Sequence, residues 1–149
     1  MSKVFLACHV VFNTKYHKRT IPFELRRIIY AYIHTFLKSK NCKTYRINGS
    51  VDHIHIVLNL HPSIALSDLV RLLKTESSKI FRDDERFPDF EGWGDGYYCH
   101  SISVECLDAA IEYVKNQEKH HTVDNEDFMS EMRWMVGKHG MRWYEDDWN

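Results

Sequence analysis

Along residues 51–60, VDHIHIVLNL, apolar and polar positions alternate: Ile54, Ile56, Leu58 and Leu60 fall on one side, and His53, His55, Val57 and Asn59 on the other. A period of two marks a strand with one well-buried face. Residues 4–14, rich in Val and Phe, predict an earlier strand, and 44–48 with 53–60 predict a hairpin around Gly49-Ser50. Between them the period lengthens. Residues 23–40 carry Leu25, Ile28, Ile29, Tyr32, Ile33, Phe36 and Leu37 at helical spacing, with Thr20 or a neighbour as cap, Pro22 in the first turn and Asn41 as the stop. A second helix is predicted over 63–82, its common side made by Leu66, Leu69, Val70, Leu73, Ser77 and Ile80. The stretch 83–96, with Pro88 and three glycines, reads as a loop. A fourth strand over 97–104, a third helix over 107–121 and a fourth over 124–137 complete the chain, which ends in an acidic run at 145–147.

Strand–helix–strand–strand–helix–strand is the ferredoxin-like split βαβ order of the α+β class. It implies a four-stranded antiparallel sheet with two helices on one face. The side bearing His53 and His55 is then the opposite, open face, with the third helix as a C-terminal addition.

Length fits a single domain, 1–149, with a real core. A net charge of −1 announces no basic field for nucleic acid, although a local patch can suffice. Cys8, Cys42, Cys99 and Cys106 are scattered, with no Cys-x-x-Cys pair for a thiolate zinc site. No apolar run reads as a signal peptide or a membrane span, so a cytoplasmic protein with reduced cysteines is expected.

The chemistry concentrates in two places. On a strand, residues two apart point the same way, so His53 and His55 stand side by side, and two neutral imidazoles so placed can grip one divalent cation. Histidines on the open face of a strand are also often mere polar surface. In the third helix Tyr113 and Gln117 are four apart and project from one face. By itself Tyr113 fits an ordinary boundary tyrosine at the edge of the stripe made by Leu107, Ala110, Ile111 and Val114. Asp52 is placed either to support a histidine or to serve a turn. Lys15, Lys18 and Arg19 form a basic turn after the first strand, Arg26 and Arg27 lie on the first helix, and Lys74 and Lys79 on the second.

HIH on a strand, followed in order by LKTESSKIF, WGDGYY and AIEYVKNQEKHH and preceded by HVVFNTKYHKR, resembles the single-tyrosine transposases of the HUH endonuclease superfamily, the IS200-like enzymes of small insertion sequences. The resemblance runs from residue 4 to about 121 and is weakest over 122–149. It implies that His53, His55 and Gln117 hold Mg²⁺ or Mn²⁺ and that Tyr113 is the nucleophile. Single-stranded DNA would be cut and rejoined at element ends through a 5′-phosphotyrosine. It also implies hairpin DNA as partner and a homodimer, with Tyr113 working in cis or in trans. Lys15, Lys18, Arg19, Lys74 and Ser78 are the expected DNA contacts, through phosphate charge or hydrogen bonding; Ser77 fits packing or capping as well. Trp93, Tyr97 and Tyr98 are expected to be structural, with Tyr98 the next tyrosine to test. Two rival functions stay open: a domesticated hairpin-binding relative, and a metal-dependent phosphodiesterase using a metal-bound water.

Overall fold

The computed structural model describes residues 2–122 and 127–144. The acidic run at 145–147 and the start of the predicted fourth helix at Asp124 lie outside them. Strands β1 (Ala7–Asn13), β2 (Lys43–Gly49), β3 (His53–Asn59) and β4 (Tyr98–Ser101) form one antiparallel sheet in the order β2-β3-β1-β4. Helices α1 (Arg26–Ser39) and α2 (Leu66–Arg82) fill the crossovers, followed after β4 by α3 (Leu107–Lys115), α4 (Gln117–Thr122) and α5 (Phe128–Lys138). The split βαβ order and its sheet are those the hydrophobic periods predict. Among the described residues no helix is long and apolar enough to cross a membrane.

Pleating sorts the side chains as the alternation requires. Val10, Phe12, Ile54, Ile56 and Leu58 enter one core with Ile29, Ile33, Phe36 and Leu37 of α1 and Leu69, Val70, Leu73 and Phe81 of α2. Asn41 ends α1 with φ of 59°, a left-handed turn that asparagine tolerates better than most residues. The loop between α2 and β4 is tied to that core: Trp93 packs edge-on against Phe12 with ring centroids 4.9 Å apart, and its indole N–H donates to Ser77 Oγ at 2.8 Å. Ser77 and Trp93 thus serve packing.

The other sheet face departs from expectation. It is not open: α3 lays Val114 over Val57, Ala7 and Ile102, and α5 lays Phe128, Met132, Met135 and Val136 over Val11 and Tyr98. The two central strands are therefore buried on both faces. Sequence periodicity describes the strands correctly but does not say how far a C-terminal helix will reach back over them. The third helix is also shorter than its pattern predicts, breaking at Asn116 before Gln117 begins α4.

Candidate functional site

The β2–β3 turn sets the first half of the site. Gly49 N donates to the side chain of Asn48, and a Cβ at Gly49 would lie 2.3 Å from the carbonyl oxygen of His53, so only glycine fits this crossing. Thr14 N donates to the carbonyl of Asp52 at 2.8 Å, and Thr20 and Ile21 both donate to that of Val51. These bonds fasten the turn to the segment after β1 and fix where Asp52 and His53 enter.

Each imidazole is oriented from behind. His53 Nδ1 meets Asp52 Oδ1 at 2.7 Å, and His55 Nδ1 meets His9 Nε2 at 2.7 Å. With Nδ1 so engaged, both rings turn Nε2 toward a common centre, the arrangement that metal-ligating histidines use to fix tautomer and direction. Asp52 takes the supporting place that its position suggested. His9 occupies a polar position in the alternation of β1, one strand over from His55, with nothing in its own segment to mark it as a partner.

The centre holds a carboxylate. Glu131 Oε1 stands 3.3 Å from His53 Nε2 and 3.2 Å from His55 Nε2. Gln117 reaches the same place from α4: its Oε1 is 3.2 Å from His53 Nε2, and its Nε2 donates to Glu131 Oε2 at 2.6 Å. Tyr113 donates its hydroxyl to that same Oε2 at 2.5 Å. All four expected residues, His53, His55, Gln117 and Tyr113, are thus brought together within one chain. The addition is Glu131. Its signal was present, because Phe128, Met132 and Met135 make the apolar side of α5 and Glu131 stands among them. A charge on the buried side of a helix wants a partner.

His53, His55, Gln117 and Glu131 are all 0 % exposed. Burial alone would disfavour a charged ring at His53, yet the hydrogen bonds and charges of Asp52 and Glu131 outweigh it and push its pKa up to about 9. His9 is driven the other way, well below the usual histidine value, by burial and by the neighbouring His55 and His100. The two imidazoles and the carboxylate bring ligand atoms within 4.8 Å of one another, the geometry of a group that could hold a metal ion. The donor set fits a divalent cation: neutral nitrogens, a carboxylate oxygen and a carboxamide oxygen around one negative charge, which a proton on His53 otherwise offsets.

The expected DNA-contact residues divide. Lys15, Lys18 and Arg19 lie exposed in the segment after β1, beside the turn that carries Asp52, with Lys18 paired to Glu91 at 2.6 Å. Lys74 and Ser78 lie on α2, on the other side of the sheet, and are not brought to the imidazoles. Together they line a separate cavity of about 350 Å³ with Arg71 and the 93–97 segment. Lys74 donates to the carbonyls of Gly94 and Gly96, and burial lowers its pKa to about 8. Tyr98 is buried at the sheet edge, its hydroxyl 2.8 Å from His100 Nδ1 and 3.0 Å from His139 Nδ1, away from His53 and Gln117.

The family model for IS200-like transposases matches residues 2–117. The chain is 28 % identical over 116 residues to the transposases for insertion sequence element IS200 of Salmonella typhimurium and Salmonella typhi, covering 73 % of this chain and 74 % of each relative. Among solved structures it resembles a REP-associated tyrosine transposase bound to a REP hairpin, with a TM-score of 0.63 at 12 % identity over 100 % of this chain and 90 % of that one. The crystal structure of a candidate transposase from Deinococcus radiodurans matches with a TM-score of 0.58 at 17 % identity, over 78 % of this chain and 95 % of that one. These structural likenesses carry the fold. Glu131 lies beyond the residues that the family model matches.

Proposed function

The chain belongs to the family of IS200-like transposases, and on that footing we propose that it cuts and rejoins single-stranded DNA at the hairpin-bearing ends of an insertion sequence, through a 5′-phosphotyrosine on Tyr113. One observation carries the reading. A single carboxylate, Glu131, contacts the nucleophile candidate through one oxygen and both imidazoles through the other. Nucleophile and metal donors are therefore parts of one cluster.

In this reading His53, His55, Glu131 and Gln117 hold a divalent cation, Mg²⁺ or Mn²⁺, which supplies Lewis-acid polarisation of the phosphoryl oxygens when bound. A phenol with a free pKa of roughly 10 is a poor nucleophile at neutral pH and must lose its proton as it attacks. Glu131 Oε2 already accepts that hydroxyl and is placed to take the proton. The Tyr113 oxygen then bonds to phosphorus while the bond from phosphorus to the 3′-oxygen breaks. The 5′ side stays esterified to the tyrosine and the other fragment leaves with a 3′-hydroxyl. The ester conserves the phosphodiester linkage, so attack by a second 3′-hydroxyl rejoins DNA without a nucleotide cofactor. Asp52 and His9 hold the imidazoles in register, and α5 over the cluster keeps bulk water from competing with the tyrosine. Lys15, Lys18 and Arg19, at the same end of β1 as His53, are the phosphate contacts we assign to the approaching strand.

The test is incubation of the protein with labelled single-stranded element ends and Mg²⁺ or Mn²⁺, followed by denaturing electrophoresis. The unmodified chain gives a covalent adduct. Tyr113→Phe gives none while keeping most of its hairpin affinity. An adduct that survives the substitution overturns the assignment, and metal-dependent turnover that persists with no adduct at all points to a water-using phosphodiesterase instead.

A further inference from the structure

Beside Tyr113, between β4, α3 and α5, lies a cavity of about 500 Å³ walled by Tyr113, Trp134, Lys138, His139, His100 and Ile102. We propose that this cavity seats an unpaired nucleobase of the nucleotide that flanks the scissile phosphate. The inference rests on the proposed cleavage reaction and adds to it a site for the DNA.

Size and position agree first. The volume lies within the usual range for small-molecule sites, about 300–1,000 Å³. The cavity adjoins the His53–His55–Glu131 cluster through two of its wall residues. Tyr113 forms part of its wall and donates to Glu131, while His9, also in the wall, holds His55. A nucleotide whose base enters here has its phosphate within one sugar's length of a wall that includes Tyr113.

The walls have the chemistry of a base seat. Trp134 is 48 % exposed, a poor arrangement for a merely structural indole, and it stacks on Tyr113 at 23° with ring centroids 5.8 Å apart. Exposed aromatic rings beside cations are how single strands are held without base pairing. Lys138 Nζ stands 4.8 Å from the Trp134 ring, within reach of a backbone phosphate.

The cavity also has a polar edge. His100 and His139 stack at 3.7 Å. His139 Nδ1 lies 2.9 Å from the carbonyl of Met135 and so donates to it. The Tyr98 hydroxyl can then donate to His100 Nδ1 at 2.8 Å, which leaves the proton of His100 on Nε2 as a donor. Burial keeps His100 neutral, with its pKa lowered to about 4. The His100 and His139 rings, beside Ser101, Ser103 and Lys138 in the same wall, give this side of the cavity hydrogen-bonding groups that can meet the mixed edge a nucleobase presents.

The experiment measures binding of the Tyr113→Phe chain to fluorescently labelled single-stranded element ends by anisotropy, walking one abasic residue along the DNA. An abasic residue at one position beside the cleavage site weakens binding about tenfold. Trp134→Ala in the same background weakens binding to intact DNA by a similar factor and leaves binding to that abasic DNA unchanged. Trp134→Tyr restores most of the loss, and thermal melting confirms that these variants are folded. Equal losses on intact and abasic DNA, or no sensitivity at any position, overturn the seat. Adduct formation by the unmodified chain is scored separately: an adduct without base–Trp134 coupling overturns the seat alone, and coupling without an adduct overturns the cleavage chemistry alone.

Discussion

At the scale of single residues the site is organised by what stands behind the imidazoles. An imidazole has two nitrogens, and only a hydrogen bond to the far one decides which faces the centre. For His53 that bond comes from Asp52, for His55 from His9. Asp52 is half-buried and His9 is buried, so neither can be exchanged for water without loss. Asp52→Asn keeps the shape but removes the charge that supports a basic ring, and His9→Phe keeps the ring but removes its nitrogens. Each is expected to weaken Mn²⁺ affinity about 10- to 100-fold, the usual cost of losing such support. Titration calorimetry of the folded variants checks this, and affinity unchanged from the unmodified chain would show that the rings need no backing. The alternation of β1 displays His9 as a polar position, but one sequence cannot show that a residue 46 positions before His55 lies on the neighbouring strand, diagonal to it, with their rings in contact.

At the scale of elements, the β2–β3 hairpin is the part on which placement of the imidazoles depends. A one-residue slip of a strand turns every side chain to the other face, so a shift in β3 would move His53 and His55 into the α1–α2 core. The pairing of Gly49 with Ile54, and the missing Cβ at Gly49, hold that register. Gly49→Ala should destabilise the fold by about 2–3 kcal/mol, lowering the melting temperature by roughly 5–10 °C. It should also weaken metal binding, because the atom displaced is the carbonyl of His53 itself. Differential scanning calorimetry measures the first effect; a melting temperature within a degree of the unmodified chain's would mean the turn is looser than its contacts imply. This hairpin and helices α1 and α2 were legible, because each buries one face and so writes its period into the chain. The break at Asn116 was not, since neither glycine nor proline marks it and the helical pattern runs through. Glu131 was half-legible: its placement among Phe128, Met132 and Met135 is visible, but its partners lie on other elements.

At the scale of the whole molecule, the sheet is a wall with different work on its two sides. One face is a plain hydrophobic core, and the other carries the imidazole pair under α3, α4 and α5. The family model matches residues 2–117, which supply His53, His55, Tyr113 and Gln117, whereas the carboxylate arrives on the helix that follows. These residues meet within one chain. The sequence left open whether the tyrosine works on its own histidines or on a partner's, and it left a homodimer as an implication of resemblance. The distances favour the first: the Tyr113 hydroxyl and the His53 and His55 Nε2 atoms all contact the one Glu131 side chain. The consequence is a complementation test. Two inactive chains are mixed, one His53→Ala with Tyr113 intact, the other Tyr113→Phe with both histidines intact. If each tyrosine serves its own imidazoles, no pairing of these chains contains a complete site, and the mixture forms no covalent adduct at any protein concentration. If tyrosines are exchanged between subunits, half of the sites in a mixed dimer are complete, and adduct returns to a substantial fraction of the unmodified level. Restored adduct would overturn cleavage in cis while leaving Tyr113 as the nucleophile, since the Tyr113→Phe chain alone would still be inert.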